Sequence, residues 1–286
     1  MAEKKAAGKS NLRASRPDIS TILGILVAVG GIIGGLVMEG GKVSDVTQIT
    51  AAIVVLGGTL GAVMITSPLQ TLISAAKSLK KVFFEEITDT RAAVEEIIGY
   101  ATKARKNSII SLEEDLDKIA DPFLRKALSL AVDGTDLQEL RTMMELDLTQ
   151  AEKLAESDAK VFEAAGGYSP TIGIIGAVMG LIQVMKHLEN IEEVGRGIAV
   201  AFVATVYGVA VANLFFLPAA SKIKARIHND VSAKELMLEG VISIVEGMNP
   251  KLIRVKLEAF LHGEDGAKKA KAGSAAAQAG QTVAAG

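Results

Sequence analysis

Residues 197–221, GIAVAFVATVYGVAVANLFFLPAAS, decide the fold, because the whole run contains no Asp, Glu, Lys, Arg or His. A helix needs about 20 apolar residues to cross the hydrocarbon layer of a bilayer, and this run supplies them. Three further runs share the property: 19–38, 46–76 and 164–185. The second is too long for one crossing. Ser67-Pro68 divides it, with Ser67 suited to an N-cap and Pro68 to the first turn of a new helix. The spans are therefore expected near 19–38, 48–66, 170–188 and 198–218, as two hairpins.

Composition agrees with a membrane chain. Hydrophobic residues make up 49% and mean hydropathy is +0.34, yet aromatics are only 4%. Twenty-eight glycines accompany that hydrophobicity, which suits closely packed membrane helices better than a soluble core. The net charge of −2 gives no reason to expect nucleic acid. Having no cysteine excludes disulfides, thiolate metal sites and a thiol nucleophile. Three scattered histidines show no zinc spacing, so no metal or other cofactor and no enzyme is expected.

Basic residues set the orientation. Lys4, Lys5, Lys9, Arg13 and Arg16 precede the first span, whereas the short connections hold only Lys42 and, in the second hairpin, Lys186 and Arg196. The remaining Lys and Arg lie in 77–163 or beyond Ser221, so both termini and the middle segment are expected to be cytoplasmic. A cleaved leader is the competing reading of the first span. Its apolar run is too long, lacks an A-x-A site and leads within ten residues into another span.

The expected organisation is an N-terminal tail (1–17), a first hairpin (18–67), a helical cytoplasmic domain (68–165), a second hairpin (166–220), a C-terminal helix (221–262) and a disordered tail (263–286). In the cytoplasmic domain, Asp121-Pro122 caps a helix, Asp133-Gly134-Thr135 turns, and Asp136 with Glu139 opens a long helix leading toward the third span. The class is all-α, with four transmembrane helices in two hairpins.

Small residues recur four apart at Gly30/Gly34, Gly31/Gly35, Gly57/Gly61, Gly176/Gly180 and Ala204/Gly208/Ala212. Such spacing lets helix backbones approach closely, and helix packing is the expected role of most of them. No span carries a carboxylate or an imidazole in its interior. Glu39, Glu163, His187 and Glu189 sit at span ends. Proton pathways through membranes normally use buried titrating groups. Any ion carried here therefore needs a group from a partner.

Four motifs resemble the A subunit of the flagellar stator, the MotA/PomA family: DPFLRKALSLAVDGTD (121–136), PTIGIIGAVMGLI (170–182), GIAVAFVATVYGVAVANLFFLPAASKIK (197–224) and EGMNPKLIRVKLEAFL (246–261). The resemblance runs from Arg16 to about Leu261. It implies a bacterial inner-membrane protein, five copies of which surround two copies of a MotB-like B subunit. That partner supplies the ion-carrying aspartate and the peptidoglycan anchor, and ion flow turns the ring against the rotor protein FliG. Related ExbB/TolQ energisers share the last two spans but usually have a single span before the cytoplasmic segment. They are the alternative reading.

By motif, Pro170 and Pro218 match the family's functional prolines, and Thr205 matches the threonine of span four facing the ion site. Tyr207 is expected on the same partner-facing path. Sodium-driven members resemble one another in a further span-three threonine, where this chain has Ala177, and in a threonine pair in span four, where the first is Ala204. The missing hydroxyls favour H⁺ over Na⁺ as coupling ion. KARKNSIISLEEDLD (103–117) resembles the rotor-contacting stretch, with Arg105 and Glu113 at its key positions. Ser108 stands where the family often has glycine, so a different local turn is expected there.

Overall fold

The computed structural model describes residues 13–260. Within them, four helices are long and apolar enough to cross a membrane: Ile19–Met38 (α1), Val43–Thr66, Leu137–Lys186 (α8) and Ile191–Val245. Span two is compound, consisting of a 3-10 turn, α2 (Ile49–Ala52), a π turn (Ile53–Gly57) and α3 (Gly58–Thr66). The fourth helix is α9 (Ile191–Val211), a π turn (Ala212–Phe216) and α10 (Leu217–Val245). Between spans two and three lie α4 (Leu69–Ser78), α5 (Lys80–Phe83), α6 (Thr90–Asn107), a 3-10 segment (Ile109–Lys118) and α7 (Pro122–Val132). This is an all-α membrane protein. A short β-pair, Arg13–Pro17 (β1) with Phe84–Thr88 (β2), is the exception, and no pattern in the sequence announced it.

Caps explain the helix starts. Asp18 accepts from the Thr21 N–H, Asp89 from Ala92 N–H, Asp121 from Phe123 and Leu124 N–H, and Asn190 from Glu192 and Glu193 N–H. Each satisfies donors that the first helical turn leaves open. Glu192 and Glu193 also place negative charge at the positive end of α9.

The chain divides into two compact units, and the division differs from the lipid-based boundaries expected at 68, 165 and 221. Among the described residues, one unit takes Ile87–Ala151 and residues 228–260; the other takes Ser15–Glu86 and Glu152–Ile227. The reason is that α8 and α10 are each continuous across the division, so membrane depth and packing boundary need not coincide. In the first unit, Ile97, Leu124, Leu128, Leu140, Met144, Leu236, Ile242 and Ile253 form a fully buried core. The C-terminal segment is two helices here, not one. Gly247 adopts φ +69 and the Met248 N–H reaches back to the Ser243 carbonyl, which ends α10. Asn249 then caps and Pro250 opens a second helix over 250–260. The expected disordered tail lies outside the described residues.

In the second unit, α1 contributes no buried residue. A Cβ at Gly30, Gly31, Gly34 or Gly35 would meet nothing within 4 Å. Those spacings therefore mediate no packing among the described residues. What fixes the start of α1 is Asp18, which is buried, accepts from Ser20 Oγ and meets Lys222 Nζ at 2.5 Å and Arg226 Nη2 at 2.6 Å. Arg226 also donates to the Phe84 carbonyl. Burial pushes the Asp18 carboxyl up, but the hydrogen bonds from Lys222, Ser20 and the Thr21 N–H, with the Lys222 charge, outweigh it and hold it well below the usual carboxylate range. A carboxyl made more acidic by folding stabilises the fold above its ordinary pKa, and that contribution is lost as pH falls toward its depressed value. Asp18→Asn leaves two cations without their anion and is expected to cost about 3–5 kcal/mol at neutral pH. Thermal unfolding of the detergent-solubilised protein between pH 7 and pH 3 checks it, the gap between wild type and variant holding down to about pH 4 and only beginning to narrow below that.

Candidate functional site

Spans three and four meet along a seam of glycine and alanine. A Cβ at Gly173 would lie 2.9 Å from the Ala204 carbonyl oxygen, and one at Gly180 2.9 Å from the Gly197 carbonyl oxygen. At Gly208 it would lie 2.6 Å from the Ser169 carbonyl oxygen and 3.0 Å from Gly173 Cα. Real side chains never come that close to backbone, so the two helices touch main chain to main chain. The pairings 173–208, 176–204 and 180–197 fall in antiparallel order.

That order fixes what lies beside the seam. Each residue turns about 100° from the last. In an antiparallel pair, positions following the seam on both helices rotate to the same side. Pro170 and Ala177 on α8 and Thr205 on α9 thus share one lateral face. The opposite side belongs to span two. Ile172 of α8 meets Gly58, and Ala51 and Val55 pack with Val203, Ala204 and Tyr207. Exposed Ile174, Leu181, Ile198 and Val209 extend the face of Pro170, Ala177 and Thr205. Within this unit the face has no partner and carries no charge.

Tyr207 does not belong to it. Its hydroxyl donates to the Val46 carbonyl at 2.6 Å and accepts from the Gln48 N–H at 3.2 Å. Two residues from Thr205, it points about 200° away and is spent holding span two, which corrects its placement on the partner-facing path. Thr205 Oγ1 donates to the Ala201 carbonyl at 3.2 Å.

The two prolines are accommodated differently. Pro170 sits inside α8, where its missing N–H deprives the Gly166 carbonyl of a helical donor. Beside it, Ser169 is fully buried and its Oγ has no partner among the described residues. Pro218 follows the π turn Ala212–Phe216, in which the Leu217 N–H reaches Ala212 O five residues back. The wider turn relieves the clash a proline makes with the carbonyl four residues earlier. At the far end of the hairpin, His187 Nδ1 meets Glu193 at 3.0 Å, both about half exposed. Glu163 is paired with Lys224 at 2.6 Å.

The charged stretch 103–117 lies in the other unit. Lys103 is tied to Asp115 at 2.6 Å, and Asp115 also takes Lys118 at 2.6 Å. Hydrogen bonds from Lys103 and then Lys118 hold the Asp115 carboxyl below its ordinary range. Arg105, Lys106, Glu113 and Asp117 make no ion pair among the described residues, and Arg105, Lys106 and Glu113 are exposed. Internal pairing thus separates the scaffold charges from the available ones. Ser108 adopts φ 74, ψ 157, the one positive-φ residue besides glycines among those described. The turn has a backbone that glycine adopts freely, and the serine carries the strain.

The profile of the MotA/TolQ/ExbB proton channel family matches residues 115–236, and that of the motility protein A N-terminal region matches 22–106. Motility protein A of Bacillus subtilis (strain 168) is 34% identical over 262 residues, covering 90% of this chain and 96% of its own. Motility protein A of Helicobacter pylori (strain J99) is also 34% identical, covering 84% and 93%. The chain belongs to the MotA/PomA family. A solved structure of the flagellar MotAB stator complex from Bacillus subtilis agrees at a TM-score of 0.80 and 33% identity, covering 88% of this chain and all of that one. Function follows family here: this is an A subunit of a flagellar stator.

The seam and the turn each make a prediction for this subunit. Gly208→Ala is expected to cost about 1–3 kcal/mol, because backbone must move to admit the methyl. Gly34→Ala, in open space, is expected to leave the melting temperature of the isolated chain within experimental error. Ser108→Gly is expected to stabilise by about 1 kcal/mol or more, since it releases a conformation nearly exclusive to glycine. Thermal unfolding in detergent measures all three.

Proposed function

We propose that the charge-free face carrying Pro170, Ala177 and Thr205 receives the single span of a B subunit, and that the coupling ion is H⁺. The observation carrying this is that an uncovered, tightly sealed helix pair offers no titrating group of its own. The structure solved for the Bacillus subtilis relative is titled a MotAB stator complex, which supports a MotB-like partner here. A carboxylate on that partner would be the only charge at this depth. Protonation would remove its charge and change which part of the surrounding wall it favours.

On this face the side-chain oxygen is that of Thr205, already donating to a carbonyl. A bare Na⁺ needs several oxygen ligands, whereas a proton needs only the carboxylate. Ala177 and Ala204 supply none. A ring of five copies around two B subunits, set in the inner membrane with both termini cytoplasmic, completes the reading. Relatives at 34% identity named motility protein A favour the stator over an ExbB/TolQ-type energiser.

Torque is delivered to the rotor protein FliG through Arg105 and Glu113, two of the exposed charges left over by internal pairing, which Lys106 and Asp117 flank. Exposed charges steer and register a partner more than they grip it. Swimming speed and channel conductance are expected to follow external pH and to be indifferent to replacing sodium with potassium; dependence on sodium without response to pH overturns proton coupling. Arg105→Glu combined with Glu113→Lys is expected to cut stall torque sharply. Wild-type torque in that double variant removes the rotor contact.

A further inference from the structure

Beside Arg105 the first unit holds a cavity of about 320 Å³. Ala101, Ala104, Ala131, Ile244 and Met248 line it, together with Arg105. Such a volume is at the lower end of what small-ligand pockets enclose, and it opens to solvent. It stays open for reasons legible in the residues. Alanines line it where larger side chains would fill it. Two of its lips are turns held by Gly134 at φ +78 and Gly247 at φ +69, which a larger residue could not adopt without strain. The third lip is strained Ser108–Ile109, with Ile109 lining the cavity.

The geometry points to this cavity as the socket for an apolar side chain of the rotor, flanked on the rotor by a carboxylate that meets Arg105. The inference rests on the rotor-contact reading above and goes beyond it. Charge explains steering and register; the cavity supplies the grip. An anchor in a dewatered pocket ringed by polar contacts is how interfaces concentrate their energy. Charge complementarity selects the occupant. Arg105 and Lys106 are exposed and have no anion among the described residues, so the segment that enters beside them carries negative charge. Residues 261–286 of this chain fit poorly. They have no aromatic residue, and Lys268, Lys269 and Lys271 outnumber Glu264 and Asp265.

The natural chain has no cysteine, so Ala104→Cys places a single thiol in the cavity lining. In tethered cells with assembled stators, torque is measured before and after N-phenylmaleimide or methyl methanethiosulfonate, with labelling checked by mass spectrometry and cells carrying the unsubstituted chain as background. Filling the socket after assembly separates occupancy from folding. The phenyl adduct is expected to lower torque about fivefold more than the methylthio adduct, the scale of losing one anchor residue, while proton conductance through the channel stays the same for both. Equal torque with both adducts at full labelling overturns the socket, as does a phenyl adduct that lowers conductance in step with torque. Thr135→Cys, also lining the cavity, repeats the measurement if the Ala104→Cys chain fails to assemble. The charge-swapped double variant, read in unlabelled cells, tests the underlying rotor contact separately.

Discussion

In lipid an apolar side chain gains nothing by leaving its surroundings for a neighbouring helix, so helices associate only where their backbones can come close. Spans three and four solve this with glycine on both sides of one seam. Gly208 stands against Gly173 and the Ser169 carbonyl, and Gly180 against Gly197. Dispersion over so short a distance replaces the hydrophobic drive that a soluble core would use. Everything that distinguishes the two sides of the pair follows from this contact. With the seam fixed and antiparallel, one flank must take span two and the other must face outward.

Charge is handled by keeping it at the ends. Asp18 gathers Lys222 and Arg226 where α1 begins, Glu163 pairs with Lys224, and His187 pairs with Glu193. Asp158 is buried yet accepts from the hydroxyls of Ser74 and Ser78. These groups lie where partners are available, so none has to enter the seam. The span interior is left to uncharged groups such as Thr59, Ser169, Thr205 and Tyr207 and to backbone, and α1 is left with exposed apolar residues for lipid or another chain.

The fold class was legible because it rests on an absence: a run without charge reads the same whatever it packs against. The glycine spacings were only half legible. Gly176/Gly180 and Gly30/Gly34 look alike as letters, yet one pair is pressed into a neighbour and the other meets nothing, because spacing does not say which face a neighbour occupies. Tyr207 misled for a related reason. A tyrosine two residues from Thr205 shares its depth but not its azimuth, and only the position of span two shows where the hydroxyl is spent. In the charged stretch only the resemblance singled out Arg105 and Glu113; the letters alone do not separate them from Lys103, Lys106 and Asp115. The fold ties Lys103 to Asp115 and leaves Arg105 and Glu113 exposed. The cavity beside Arg105 gave no sequence signal, since alanines in a helix read as packing.

Ser169 and Pro170 show why the seam cannot host an ion site of its own. Pro170 withholds a donor from the Gly166 carbonyl, and Ser169 Oγ lies fully buried without a partner among the described residues. An unmet hydroxyl costs about 1–3 kcal/mol; a carboxylate in the same place would cost several times more, because a charge loses far more hydration than a dipole. The contact is too close to admit water or a counter-ion beside it. A titrating group can therefore reach this depth only from outside the helix pair, across the flank that Pro170, Ala177 and Thr205 leave uncovered. The same close approach that holds the two helices together is what keeps a charge out of the seam.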